Sequence, residues 1–218
     1  MTRAARKPTG AKRSGPTFEV EAFEIARGNA PVAGIDEAGR GPWAGPVVAA
    51  AVVLDPARIP SGLDDSKALD ADERETLLAA IEASGALIGI GVADAPRIDR
   101  MNILQATLWA MAEAVARLGS EPRLALVDGD KLPPVSCPAR AIVSGDARCQ
   151  SIAAASIVAK VTRDRMMIEL ARLHPGYGFE RHKGYGTPEH KAALARLGPC
   201  AAHRHSFAPV RESRQQML

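Results

Sequence analysis

The chain lacks several features, and each absence excludes a class of protein. No apolar run approaches the ~20 residues that a membrane-spanning helix needs. The best stretch, Trp43 to Leu54, is short and is broken by Gly45-Pro46. The basic N-terminus is not followed by an apolar h-region, so we expect no secretory signal and no membrane partner. Cysteine is scarce: Cys137, Cys149 and Cys200 are odd in number and far apart, giving neither a zinc-ligand spacing nor a closed set of disulfides. These absences lead us to expect a soluble cytoplasmic protein whose thiols are buried or idle filler.

What is present suits one hydrophobic core. A chain of 218 residues with 46% apolar composition fits a single main domain with a small appendage. The formal net charge of +3 is uneven. Residues 1–16 hold Arg3, Arg6, Lys7, Lys12 and Arg13 with no acid, leaving 23 basic against 25 acidic residues in the rest. That tail is too polar to order itself, and we expect it to be disordered. Bulk charge alone does not mark a nucleic-acid binder. From Arg172 to Arg214, however, eight Lys and Arg stand against Glu180, Glu189 and Glu212, and all five histidines fall there too. This segment reads equally as a phosphate track or as a solvated surface.

Periodicity sets the order of elements. A short helix is expected around Phe18 to Ala26, with Phe18, Phe23 and Ile25 as apolar contacts. Val32 to Ala38, Gly45 to Leu54, Ala86 to Ala93, Arg123 to Val127 and Ala139 to Val143 read as strands. Asp70 with Glu73 forms a capping-box variant that opens a helix to Gly85. Apolar residues from Ile103 to Leu118 recur at helical spacing, predicting one long helix over Arg97 to Leu118. A further helix from Cys149 to Arg172 carries a small-residue face, Ala153 to Ser156, and Thr187-Pro188-Glu189 opens another. The order implies a mixed sheet covered by helices.

The chemistry sits at strand ends. Asp36 and Glu37 leave an apolar run, Asp128 closes Leu126-Val127-Asp128, and Asp146 closes Val143-Ser144-Gly145-Asp146. Taken singly, each aspartate is as well explained by turn formation. Together they offer the oxygen-rich set that two divalent ions about 3.5–4 Å apart require, so Mg²⁺ or Mn²⁺ is the expected cofactor. One difficulty is geometric: successive strand side chains point to opposite faces, so Asp36 and Glu37 should diverge. Gly39-Arg40-Gly41 brings bare backbone and a cation beside the acids, suited to testing a sugar hydroxyl. Asp65-Ser66-Lys67 offers a hydroxyl and an ammonium for phosphate, although alone it is an ordinary polar turn. Tyr177 and Tyr185 both lie among glycines; Tyr185 is read as a stacking ring and Tyr177 as a buried anchor.

In this order, Gly34-Ile35-Asp36-Glu37-Ala38-Gly39-Arg40-Gly41, Asp65-Ser66-Lys67, Val127-Asp128-Gly129, Ser144-Gly145-Asp146, the run Ser151 to Asp164 and His182 to Thr187 resemble the bacterial ribonuclease HII family. The likeness covers Val32 to Val210. It implies an α/β ribonuclease H-like fold, with a five-stranded mixed sheet flanked by helices and a C-terminal helical extension. The corresponding division is a catalytic domain over 17–172 and an extension over 173–218. It also implies endonucleolytic cleavage of the RNA strand of RNA–DNA hybrids and of duplex DNA containing single ribonucleotides. Asp36, Glu37, Asp128 and Asp146 are then the catalytic, metal-binding acids. Gly39, Arg40 and Gly41 read the 2′-OH, Tyr185 stacks on the adjoining deoxyribose, and Ser66 and Lys67 meet phosphate. We expect a monomer, with a replication-clamp-like partner as an open question. Two rival readings use the same residues: a different nuclease or strand-transfer protein on this fold, and a non-catalytic nucleic-acid binder whose acids cap turns.

Overall fold

The structure is a computed structural model that describes residues 15–215; all but the last two residues of the expected basic tail lie outside the described residues. Helix α1 (Glu19–Ala26) leads into β1 (Val32–Ala38) and β2 (Val47–Val53); β2 and β1 up to Ile35 are so apolar that helices must cover both of their faces. Helix α2 (Ala71–Ala83) opens on the expected Asp70–Glu73 capping box, and β3 (Leu87–Ala93) follows. Next come α3 (Ala95–Met101), α4 (Ile103–Ala116), β4 (Leu124–Asp128) and β5 (Ala139–Ile142). The long α5 (Gln150–Leu173), the single turn α6 (Phe179–His182), α7 (Pro188–Leu197) and α8 (Ala208–Gln215) complete the chain. Among the described residues no helix is long and apolar enough to cross a membrane.

The five strands form one mixed sheet in the order β3-β2-β1-β4-β5. β2 pairs antiparallel with both β1 and β3, and β4 pairs parallel with both β1 and β5. One face packs Ala33, Ile35 and Ala49 on Ala106, Ala110 and Ala114 of α4; the other packs Ala50 and Val52 on Ala153 to Ala159 of α5. Small residues on both sides let the helices lie close. A Cβ at Gly34 would overlap the Ser151–Ile152 peptide of α5, and one at Gly91 would overlap the Ala110 carbonyl of α4. Adding a methylene to such a contact costs about 1–3 kcal/mol by overpacking.

Three expectations are corrected. The long helix over Arg97 to Leu118 is two helices broken at Asn102, whose φ of 67° and ψ of 163° form a strained positive-φ conformation that no helix contains. Its side chain accepts from the Gln105 N–H and so caps α4. Hydrophobic period alone could not separate them, because both segments face the core. In α1, Phe18 and Ile25 pack on the core as expected, but Phe23 is 58% exposed. The helix is also anchored by Glu21, which accepts from the Ser151 N–H and hydroxyl at the start of α5, and by Glu24, paired with Arg140. A carboxylate there meets the unsatisfied N–H groups of the longest helix. Finally, β5 stops at Ile142, and Asp146 lies beyond it in the 3₁₀ turn Gly145–Ala147.

Candidate active site

The parallel pairing of β1 and β4 builds the site. Ile35 lies opposite Val127, so Asp36 and Asp128, one residue further on, lie side by side where the pairing of these two strands ends. The 3₁₀ turn after β5 brings Asp146 to them, held by the Gly145 N–H, which donates to Asp128 Oδ1 at 2.7 Å. Carboxylate oxygens of Asp36, Asp128 and Asp146 all lie within 4.8 Å of one another. Glu37 is outside that group, as strand alternation requires. It turns to the α4 side, where with Asp128, Thr107, Met111 and Lys131 it lines a hollow of about 60 Å³. Asp128 therefore serves both groups, and Glu37 joins the cluster through it. A larger concavity, about 600 Å³, lies around Glu113, Pro122 and Val135, toward the start of β4, and contains none of these residues. The clustered acids identify the site better than pocket size does.

The acids repel one another. Burial, and then the charges of Glu37 and Asp128, push the Asp36 carboxyl well above its ordinary range. Burial also raises Glu37, where repulsion by Asp128 is opposed by Arg40, 3.4 Å away. Asp146 is raised by burial and then by Asp128 and Asp65. A single ammonium answers them directly: Lys67 Nζ lies 3.5 Å from Asp146 and 3.6 Å from Asp65. Burial would lower its pKa, but the fields of Asp65, Asp36 and Asp146 outweigh that and raise it. Three convergent, mutually repelling carboxylates and no nitrogen or sulfur ligand fit a hard divalent cation such as Mg²⁺ or Mn²⁺.

The Gly39–Gly41 turn and Tyr185 adjoin each other. The ring of Tyr185, 47% exposed, is the nearest group to the position that a Cβ on Gly41 would take, at 3.7 Å. Gly39 has a φ of 99°, and any side chain there would run into Arg163. Tyr177 is buried, its hydroxyl donating to the Gly198 carbonyl at 2.6 Å. Ser66 is buried as well, its hydroxyl accepting from Ser156 at 2.8 Å, so within this loop only Lys67 is free to reach outward.

Sequence reasoning passed over four residues that hold these parts. Ser156 of α5 donates to Ser66, and its hydroxyl beside Asp36 works against the rise that burial gives that carboxyl. Arg163, also on α5, is buried and donates to the carbonyls of Pro46, Ala44 and Lys183. Below Tyr185, His190 Nδ1 donates to the Tyr185 carbonyl at 2.9 Å, and His190 Nε2 accepts from His203 Nε2 at 3.1 Å. His203 Nδ1 accepts from the Cys200 N–H at 3.0 Å. Because a carbonyl can only accept and a backbone N–H can only donate, the relay has one proton order with both rings neutral. Burial, and then His190, lower His203 to about 3. No local pattern marks a histidine or arginine destined for burial; the density of histidine after Arg172 was the one available signal.

The family model described as Ribonuclease HII matches residues 33–210. The chain is 59% identical to a Ribonuclease HII of Azorhizobium caulinodans over 212 residues, covering 97% of this chain and 82% of that one. Among solved structures it resembles ribonuclease H2 from Pyrococcus horikoshii OT3 with a TM-score of 0.72 and 27% identity, covering 85% of this chain and 97% of the other. It also resembles the RNase HII in the PCNA:RNase HII complex from Archaeoglobus fulgidus, with a TM-score of 0.71 and 29% identity, over 84% of this chain and 97% of that one.

Proposed function

The chain belongs to the ribonuclease HII family, metal-dependent endonucleases that act on RNA–DNA hybrids, and on that premise we propose which of its residues perform the chemistry and on which substrates. Asp36, Glu37, Asp128 and Asp146 are the catalytic acids and hold the divalent ions. The enzyme cuts the RNA strand of hybrids and nicks duplex DNA at a lone ribonucleotide, leaving 3′-hydroxyl and 5′-phosphate ends. The convergence of three carboxylates within 4.8 Å, beside a glycine turn in reach of Tyr185, is the observation that carries this reading.

A pair of bound Mg²⁺ or Mn²⁺ ions supplies activation of the attacking water and neutralisation of charge on the leaving oxygen. Asp36, Asp128 and Asp146 would hold that pair, with Glu37 contributing from the α4 side through the hollow it shares with Asp128. Lys67, already drawn toward Asp146, is placed to meet a phosphate oxygen. Ser66 supports that loop through Ser156 rather than touching phosphate itself. RNA differs from DNA here only by a 2′-OH that both donates and accepts, so backbone groups of Gly39, Arg40 and Gly41 suffice to read it. Tyr185 stacks on the neighbouring deoxyribose, and sequence preference is slight.

We treat residues 17–172 as the catalytic domain and 173–218 as a helical extension of it, working as a monomer in the cytoplasm, where Cys137, Cys149 and Cys200 stay reduced. The PCNA complex of the Archaeoglobus protein makes a clamp the partner to test. The deciding experiment compares a duplex bearing one ribonucleotide with its all-deoxy twin in Mg²⁺, Mn²⁺ or chelator. We expect a nick only beside the ribonucleotide and only with an ion. Equal cutting of the twin, or cutting in chelator, would overturn the reading.

A further inference from the structure

Arg204 lies between α7 and α8, far in sequence from the acids, and is completely buried. It forms no ion pair with a carboxylate among the described residues. Its three nitrogens are spent on backbone oxygens instead: Nη2 donates to Gly39 O at 2.6 Å, Nη1 to Arg40 O at 2.9 Å and Nε to Gly45 O at 2.9 Å. A buried guanidinium without a counterion is costly, and a fork on three carbonyls is one of the few arrangements that can hold it.

Those oxygens have a particular relation to the turn. In a trans peptide the carbonyl and the next residue's N–H point in opposite directions from one plane. Gly39 O shares its peptide with the Arg40 N–H, and Arg40 O shares its peptide with the Gly41 N–H. By gripping both oxygens from inside, Arg204 turns both N–H groups away from itself. Neither N–H has a hydrogen-bond partner among the described residues. The charge-assisted bonds also polarise the two peptides in the sense that strengthens their donors. The segment beyond is fixed too: the Arg204 N–H donates to Trp43 O, the Gly45 N–H to Ala202 O and the Trp43 N–H to Gly184 O, each at 2.8 Å. This last bond ties the turn to the Tyr185 loop.

We propose that Arg204 is the positioning residue for sugar selection: its fork aims the Arg40 and Gly41 N–H donors at the 2′-OH, which sets the register in which a lone ribonucleotide is cut. The inference rests on the assignment of Gly39–Gly41 as the reader. Phosphate contacts hold the duplex whether or not the sugar is seated, so loss of aim produces bound but misregistered complexes. It therefore lowers kcat rather than raising KM. On a long RNA–DNA hybrid every register presents a 2′-OH, and the penalty shrinks.

The test is Arg204→Lys, which keeps the charge and loses the planar fork. The readouts are kcat and KM on the single-ribonucleotide duplex and on a long hybrid, with Mg²⁺ binding titrated separately by calorimetry. We expect kcat on the single ribonucleotide to fall about 10- to 100-fold relative to the hybrid, as for misplacement of a reacting group, with KM and Mg²⁺ affinity near wild type. An unchanged ratio between the two substrates, or a parallel loss on both accompanied by weaker Mg²⁺ binding, would overturn the proposal. If the variant does not fold, the unaltered protein answers the same question. The Arg204 guanidinium N–H resonances should move on binding the ribonucleotide duplex in chelator and not on binding its all-deoxy twin; equal displacement overturns the proposal. A wild-type enzyme that cuts no ribonucleotide substrate would instead refute the functional reading beneath it.

Discussion

At the ends of β1 and β4, three carboxylates crowd within 4.8 Å with one directly paired ammonium, Lys67, to answer them. At the neighbouring turn, Arg163 and Arg204 are buried with no carboxylate paired to either among the described residues, each satisfied by three backbone carbonyls. Both groups violate the rule that buried charges are paired, but they do so in opposite ways. The acidic end is left with repulsion that a proton or a cation from solution relieves. The basic end is complete without any ligand, and its charge holds backbone in place. On the proposed assignment, the half that performs chemistry therefore depends on what binds, whereas the half that selects substrate is built in advance.

The contrast can be broken most severely at the acids. Asp36→Asn or Asp128→Asn should lower Mg²⁺-dependent turnover by about 10²–10³-fold or more, the scale seen when one charge-stabilising group is lost. The same change should leave the metal-free fold as stable as before or more so, because repulsion is removed. Near-normal turnover in either purified variant would refute the metal assignment. Next comes Tyr185→Ala, which should cost about 1–3 kcal/mol in kcat/KM on a lone ribonucleotide, the usual worth of a stacking ring. Unchanged kinetics on that substrate would remove Tyr185 from the site.

The relay beneath Tyr185 sharpens the comparison through pH. His203 is held neutral, its pKa lowered from 6.5 to about 3 mainly by burial. Below the unfolded value the unfolded chain binds a proton that the folded chain refuses. The stabilisation is thus full above about pH 6.5 and is lost progressively as pH falls toward 3. Denaturant unfolding between pH 7 and pH 4 should show this slope, flattened in His203→Gln; identical slopes would mean the relay does not set it. The smallest effect belongs to the basic residues before Gly15. Their removal should weaken duplex binding mainly below about 0.1 M salt, where exposed charges act at range. Equal binding across a salt titration would leave them without a role in affinity.

The acidic half was legible in the sequence because strand ends and carboxylates are local signals. Asp36, Glu37, Asp128 and Asp146 each close an apolar run or the turn just after one, and the fold brings the three aspartates together while Glu37 turns to the α4 side. Even the divergence of Asp36 and Glu37 follows from strand alternation. The selecting half was legible only in its exposed members, the Gly-Arg-Gly turn and Tyr185. Arg204 reaches the turn across 165 positions, and nothing near it in the chain announces that contact. Ser66 shows the converse: its neighbours suggested a phosphate ligand, while the fold turned its hydroxyl inward to Ser156. The break at Asn102 was hidden because α3 and α4 share one apolar face.

Helix α5 touches both halves along its length. Its first turn lies against Gly34 on the strand that bears Asp36, its middle holds Ser66 through Ser156, and Arg163 further along supports the glycine turn. If the proposed roles hold, cleavage rate and sugar preference are therefore geared to one shaft. A library of substitutions along α5 should yield variants in which the two properties drift together, and engineering one of them independently will have to begin in the loops.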